Sequence, residues 1–200
     1  MIYSLILFNH DKEYLQANAE LIELLEMIKQ NSMYVEISSQ RDRSTQINIS
    51  VTKMNEIFAQ ELEKKGWERG IKIPGNYSAL GKEFDFGKSQ TLLEIQFSHY
   101  AFFYNNLIRF FLVYSKEILE LSKYRNFILI CRVNRIKSAN SSLYYEQAIK
   151  MYELCQNILK IPLVIIGLDM GKEEKGIMIK KPHQRSRSGL KTGKIVGVEE

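Results

Sequence analysis

The sequence predicts a mixed α/β protein, a central β-sheet with helices packed on it. Two observations carry this reading. Short apolar runs at 2–8, 126–133 and 161–168 alternate with segments whose apolar residues recur at helical spacing. The chain has 200 residues, of which 45% are hydrophobic and 26% charged, enough for one domain with a sizeable core and too apolar for wholesale disorder.

The elements follow in order. Residues 2–8 alternate loosely and favour a strand. In 12–30, Leu15, Ala19, Ile22, Leu25 and Ile28 line one helical face, with Asp11 available as a cap. Residues 33–37 read as a short strand and 40–45 as a polar loop. A second helix spans 52–66, started by Thr52 and stopped by Gly66. The stretch 68–82 is punctuated by Gly70, Pro74, Gly75 and Gly81 and reads as irregular. Strands at 83–87 and 91–97 are joined by a turn at Gly87-Lys88-Ser89. A helix over 100–123 is apolar on most faces, which places it in the interior or at a subunit interface. The core strand 126–133 leads through a polar loop, 134–142, into a helix over 143–160 and the buried strand 161–168. Residues 169–200 are Gly-rich and basic, with short strand candidates at 176–180 and 194–198.

Charge is informative by position. The 28 basic and 23 acidic residues give +5, yet Lys180, Lys181, Arg185, Arg187, Lys191 and Lys194 alone supply that excess. Such a segment suits phosphates, though a solvated tail has the same composition. No apolar run approaches the length of a membrane-spanning helix, and the N-terminus reads as a first strand, not a signal peptide. The two cysteines, Cys131 and Cys155, lie in apolar surroundings and read as free thiols of a reducing, cytoplasmic compartment.

Several chemistries fall away. Gly87-Lys88-Ser89 lacks the earlier glycine of a P-loop, with Lys82 in its place, and a strand follows where a helix is needed. The three histidines, His10, His99 and His183, are dispersed, and no zinc spacing, nucleophile elbow or dinucleotide fingerprint occurs. What remains is Asp85 on one strand with Glu94 and Gln96 two apart on the next, hence on one face. Leu93, Ile95 and Phe97 would face the core. Two carboxylates and the Ile95 carbonyl suit a hard divalent cation that polarises a phosphodiester and activates water. The spacing alone is not specific and by itself favours a solvated amphipathic hairpin. Asn140, Ser141 and Ser142 either cap the helix after them or read base edges.

The blocks FDFGKSQTLLEIQFSHY (84–100) and SANSSLYYEQA (138–148), with GWERGIKIP (66–74) collinear before them, resemble type II restriction endonucleases of the BglII/BstYI kind. The likeness covers most of the chain. It implies a restriction-endonuclease-like core with a small C-terminal β/loop extension. Residues 1–200 would form a single endonuclease domain, with 169–200 as a basic DNA-contacting extension. It further implies a homodimer that cuts double-stranded DNA at a short palindrome with a GATC core. Mg²⁺ would be the cofactor, with Mn²⁺ as a substitute, and a cognate DNA methyltransferase would belong to the same system. By resemblance Asp85, Glu94 and the Ile95 carbonyl hold the metal and Gln96 orients the attacking water. Ser98 and His99 would lie at the DNA face, Asn140, Ser141 and Ser142 would read bases, and Arg185, Arg187 and Lys191 would clasp the DNA. Three departures stand out. Glutamine replaces the lysine of the broad fold pattern, as it does in this family. Gly70 stands where the family has an asparagine, and His99 where it has another. A catalytically inactive DNA-binding protein on the same fold is the alternative; joint survival of Asp85, Glu94 and Gln96 favours the enzyme.

Overall fold

A computed structural model describes residues 1–10, 14–37, 47–133, 142–169 and 177–178. Six strands form the main sheet: β1 (Ile2–Phe8), β4 (Glu68–Lys72), β5 (Glu83–Lys88), β6 (Thr91–Ile95), β7 (Asn126–Arg132) and β8 (Leu163–Asp169), in the order β1-β8-β7-β6-β5-β4. The central pairs, β6 with β7 and β7 with β8, are parallel, and the outer pairs are antiparallel. β8 is buried at every position and β7 at all but its first, as a sheet covered on both faces requires. Strands β2 (Tyr34–Ile37), β3 (Ile47–Ile49) and β9 (Ile177–Met178) make a small second sheet.

Alternation along β7 divides the core. Ile128 and Ile130 meet α2 (Ala19–Gln30) and α3 (Val51–Lys64), through Leu24, Met27, Phe58 and Leu62. Phe127, Leu129 and Cys131 face α4 (Phe102–Tyr114) and α5 (Tyr145–Glu153), through Leu107, Phe110, Ala148 and Tyr152. Both cysteines are free. Among the described residues no helix is long and apolar enough to cross a membrane.

Several expected boundaries change. The helix expected over 12–30 is broken at Asn18, between α1 (Tyr14–Ala17) and α2. The Asn18 Oδ1 accepts the Leu21 N–H at 2.7 Å, so a side chain caps a new helix inside the apolar pattern. The stretch expected to be irregular contains β4, whose Ile71 pairs with Phe84 and whose Arg69 pairs with Phe86. Gly87 lies inside β5, and the reversal carries positive φ at Ser89 instead. The helix expected over 100–123 ends at Tyr114; Lys116 then adopts φ 66°. The helix expected from 143 begins at Tyr145, ends at Glu153 and makes no side-chain cap bond, so Ser142 does not cap it. Asp11, the loop 40–45 and the strand candidate at 194–198 lie outside the described residues.

Candidate active site

The sheet opens where the acids stand. β5 and β6 pair from Lys88↔Thr91 to Phe86↔Leu93. At the next rung the Asp85 carboxylate takes over from the backbone, its Oδ2 accepting the Ile95 N–H at 2.8 Å. This bond fixes the carboxylate across the mouth of the hairpin, beside Glu94. The two carboxyl groups are close enough to interact directly.

Burial and mutual repulsion both disfavour ionisation here. Burial raises Asp85 above the ordinary carboxylate range, against the Ile95 N–H and the Arg109 charge, which lower it. Burial, then the Asp85 charge, pushes Glu94 up from 4.5 to about 8, although Arg109 pulls the other way. A pair of acids that repel each other so strongly is a site that favours a cation. Two carboxylates with the Ile95 carbonyl give a hard-oxygen set suited to Mg²⁺, which keeps several waters and needs few protein ligands. Among the described residues no group of three or more His, Cys, Asp or Glu side chains forms a fuller metal cage.

A pH dependence follows. In the unfolded chain both acids ionise at about pH 4; in the fold Glu94 keeps its proton to about 8. Between these values the folded state binds more protons than the unfolded one, so stability falls as pH rises. Thermal unfolding in EDTA should show a melting temperature that drops between about pH 5 and about pH 8. Asp85→Asn, which removes one of the two like charges, should flatten that slope.

Gln96 and Glu94 share a face, as their spacing predicts, but that face is buried against α4, while Ile95, expected in the core, is only half-buried. Gln96 Nε2 donates to Ser98 Oγ at 2.5 Å, and its Oε1 accepts from Asn106 Nδ2 at 3.5 Å. Asn106 Oδ1 accepts from Arg109 Nη1 at 3.2 Å, and Arg109 Nη2 donates to Glu94 Oε1 at 2.6 Å. Asn106 and Arg109 were missed by sequence reasoning. Their signal was an asparagine and an arginine three apart within the apolar run FFYNNLIRFFLVY, where each needs a partner.

Beyond Asp85 lies a cleft of about 140 Å³ lined by Asn55, Arg69, Gly70, Glu83, Asp85, Phe86 and Ile95. Gly70, at φ 71°, stands across from Asp85, between the rungs of Arg69 and Ile71. It offers no side chain; the Glu83 carboxylate lies nearest to it, and Asn55 of α3 and Arg69 also line the cleft.

Ser98 and His99 are exposed just past β6. His99 Nδ1 accepts the Ala101 N–H at 3.1 Å, and its ring stacks on Tyr100 with centroids 4.7 Å apart. His99 also bridges to Ser142, and the Leu143 N–H donates to the Ser98 carbonyl at 2.9 Å. The chain therefore leaves β7 at Val133 and returns at Ser142 beside the end of the strand that carries Glu94 and Gln96. Ser142 itself is buried. Asn140, Ser141, Arg185, Arg187 and Lys191 lie outside the described residues.

The family model for restriction endonucleases BglII/BglIII matches residues 3–168. The type II restriction enzyme BglII of Bacillus subtilis is 32% identical over 165 residues, which are 80% of this chain and 73% of that one. Among solved structures, BglII complexed with a DNA 16-mer superposes with a TM-score of 0.80 at 29% identity, covering 89% of this chain and 81% of the other. Free BglII superposes with a TM-score of 0.68 at 28% identity, covering 96% and 91%.

Proposed function

The chain belongs to the BglII/BglIII restriction endonuclease family and is a type II restriction endonuclease, and from that premise we propose how it cuts: both strands, at a short palindrome with a GATC core, with Mg²⁺ as cofactor. The observation that carries this reading is the carboxyl pair of Asp85 and Glu94 at the mouth of the β5–β6 hairpin. These two and the Ile95 carbonyl would hold the metal, which supplies charge neutralisation at the scissile phosphate and a more acidic water. Gln96, a neutral donor and acceptor, contributes orientation and no charge. Mn²⁺ would be accepted by the same oxygen ligands. Plasmid DNA incubated with the protein should stay intact in EDTA and be linearised when Mg²⁺ is added; retardation of the DNA without cleavage under both conditions would refute the mechanism.

A palindrome is read by two copies of one surface, so the working unit is a homodimer. The exposed side chains of Phe102, Tyr104 and Ile108 on α4 support that reading. Residues 1–200 then act as one endonuclease domain on double-stranded DNA, with 169–200 as its basic DNA-contacting extension, and a methyltransferase of the same specificity protects the host DNA.

Base reading is assigned to Asn140 and Ser141, and to Ser98, His99 and Ser142, which meet at the end of β6. Asn140→Ala should weaken binding to the cognate duplex by roughly 1–3 kcal/mol while non-specific binding barely changes. Competition titrations against random-sequence duplex measure both; equal losses would make Asn140 a structural residue. Arg185, Arg187 and Lys191 are assigned to phosphates. Neutralising Arg185 and Arg187 together should flatten the plot of log affinity against log salt by up to about 1.8, or about 0.9 per lost contact. An unchanged slope would mean that the segment does not touch DNA.

A further inference from the structure

We propose that Arg109 is a positioning residue for cleavage, a resident cation that offsets Asp85 and Glu94 in the metal-free enzyme and yields Glu94 when a divalent ion binds. The proposal rests on the reading of Asp85 and Glu94 as metal ligands.

The geometry supplies the reasons. Arg109 projects from α4 and is buried, as is Glu94, its ion-pair partner at 2.6 Å. Its Nη2 also donates to the Glu83 carbonyl at 2.5 Å, its Nη1 donates to Asn106, and its guanidinium carbon lies 4.4 Å from the centre of the Phe84 ring. These contacts anchor the charge to β5 and α4, independently of Glu94. Yet Nε is buried without an acceptor. A bridge made only for stability would have its donors satisfied, because each unmet buried donor is costly. This one is held by the scaffold and left one acceptor short.

Its consequence is electrostatic. A DNA phosphate that approaches Asp85 and Glu94 without metal meets two acids, and Arg109 is the cation among the described residues paired with either. A divalent ion at Glu94 instead faces a guanidinium bonded to the same carboxylate, so the two cations compete. Arg109 thus favours DNA binding before metal loading and weakens metal binding before DNA arrives. Asn106 links the same arginine to Gln96, so one helix face supports both the metal-binding acid and the residue assigned to the water.

Two affinities that move in opposite directions test this. DNA binding is measured in EDTA with a fragment that the wild-type enzyme cuts, and Mn²⁺ binding is measured on the free protein by spin resonance. Arg109→Met should bind DNA in EDTA about tenfold more weakly and Mn²⁺ about tenfold more tightly, each near 1.4 kcal/mol. If both affinities fall, Arg109 is only a strut of the fold; if neither moves, its charge does not reach the site. Either result overturns the proposal. Should Arg109→Met fail to fold, Arg109→Lys carries the test: its single ammonium cannot bridge Glu94, Glu83 and Asn106 together. It should keep DNA binding in EDTA and bind Mn²⁺ a few-fold more tightly, and unchanged or weaker Mn²⁺ binding overturns the proposal. Glu94→Gln separates the premise from the proposal: undiminished Mn²⁺ binding by that variant would remove the metal-ligand reading itself.

Discussion

Asp85→Asn and Glu94→Gln should each reduce single-turnover cleavage by about a thousandfold or more, equivalent to about 4 kcal/mol of transition-state stabilisation. Each removes a charged oxygen ligand from a site with two. The variants should differ in stability, which makes the comparison informative. Asp85→Asn relieves the repulsion that raises Glu94 and keeps the Glu94–Arg109 pair, so its melting temperature at neutral pH should match or exceed the wild type. Glu94→Gln leaves the buried Arg109 charge without an ionisable partner, so above about pH 8, where Glu94 is ionised, it should melt lower. Turnover within tenfold of wild type in either variant, measured with Mg²⁺ on a cleavable duplex, would remove the metal assignment.

The second large effect concerns the packing of α5 on the sheet. Gly167 on β8 lies beneath α5, and a Cβ there would come within 2.6 Å of Tyr145 Cγ and 2.7 Å of Tyr145 Cβ. Neither atom is the far end of a flexible chain, so the helix itself must move. Gly167→Val should cost about 3 kcal/mol and lower the melting temperature by about 10 °C. Gly75→Ala, where a Cβ would meet nothing within 4 Å, is the control and should be near neutral. Because α5 begins three residues after Ser142, Gly167→Val should also weaken cognate DNA binding below the melting temperature. Normal stability would mean that α5 does not lie on β8 as described.

Much of this was legible in the chain. β7 and β8 read as core strands because burial on both faces leaves almost no polar position to disguise them. The hairpin that carries Asp85, Glu94 and Gln96 was legible from period-two spacing. β4 was not: ERGIK holds three charged residues and a glycine at positive φ, and it becomes a strand only by pairing with β5. Asn18 was hidden because one residue interrupts a helix without changing the apolar period around it. Arg109 and Asn106 were missed for a related reason. The apolar pattern of α4 announces burial, while the acid that Arg109 meets is fifteen residues earlier on another element. Long-range partners of buried polar residues have no local signature, so the acids of a candidate site can be named from the sequence while their buried partners go unseen.

The most direct test of the account is digestion of a fully sequenced phage DNA with Mg²⁺, followed by sequencing of the fragment ends. The account predicts a discrete set of fragments whose ends all fall at one short palindrome with GATC at its centre. Intact DNA, or ends scattered without a common sequence, would contradict it.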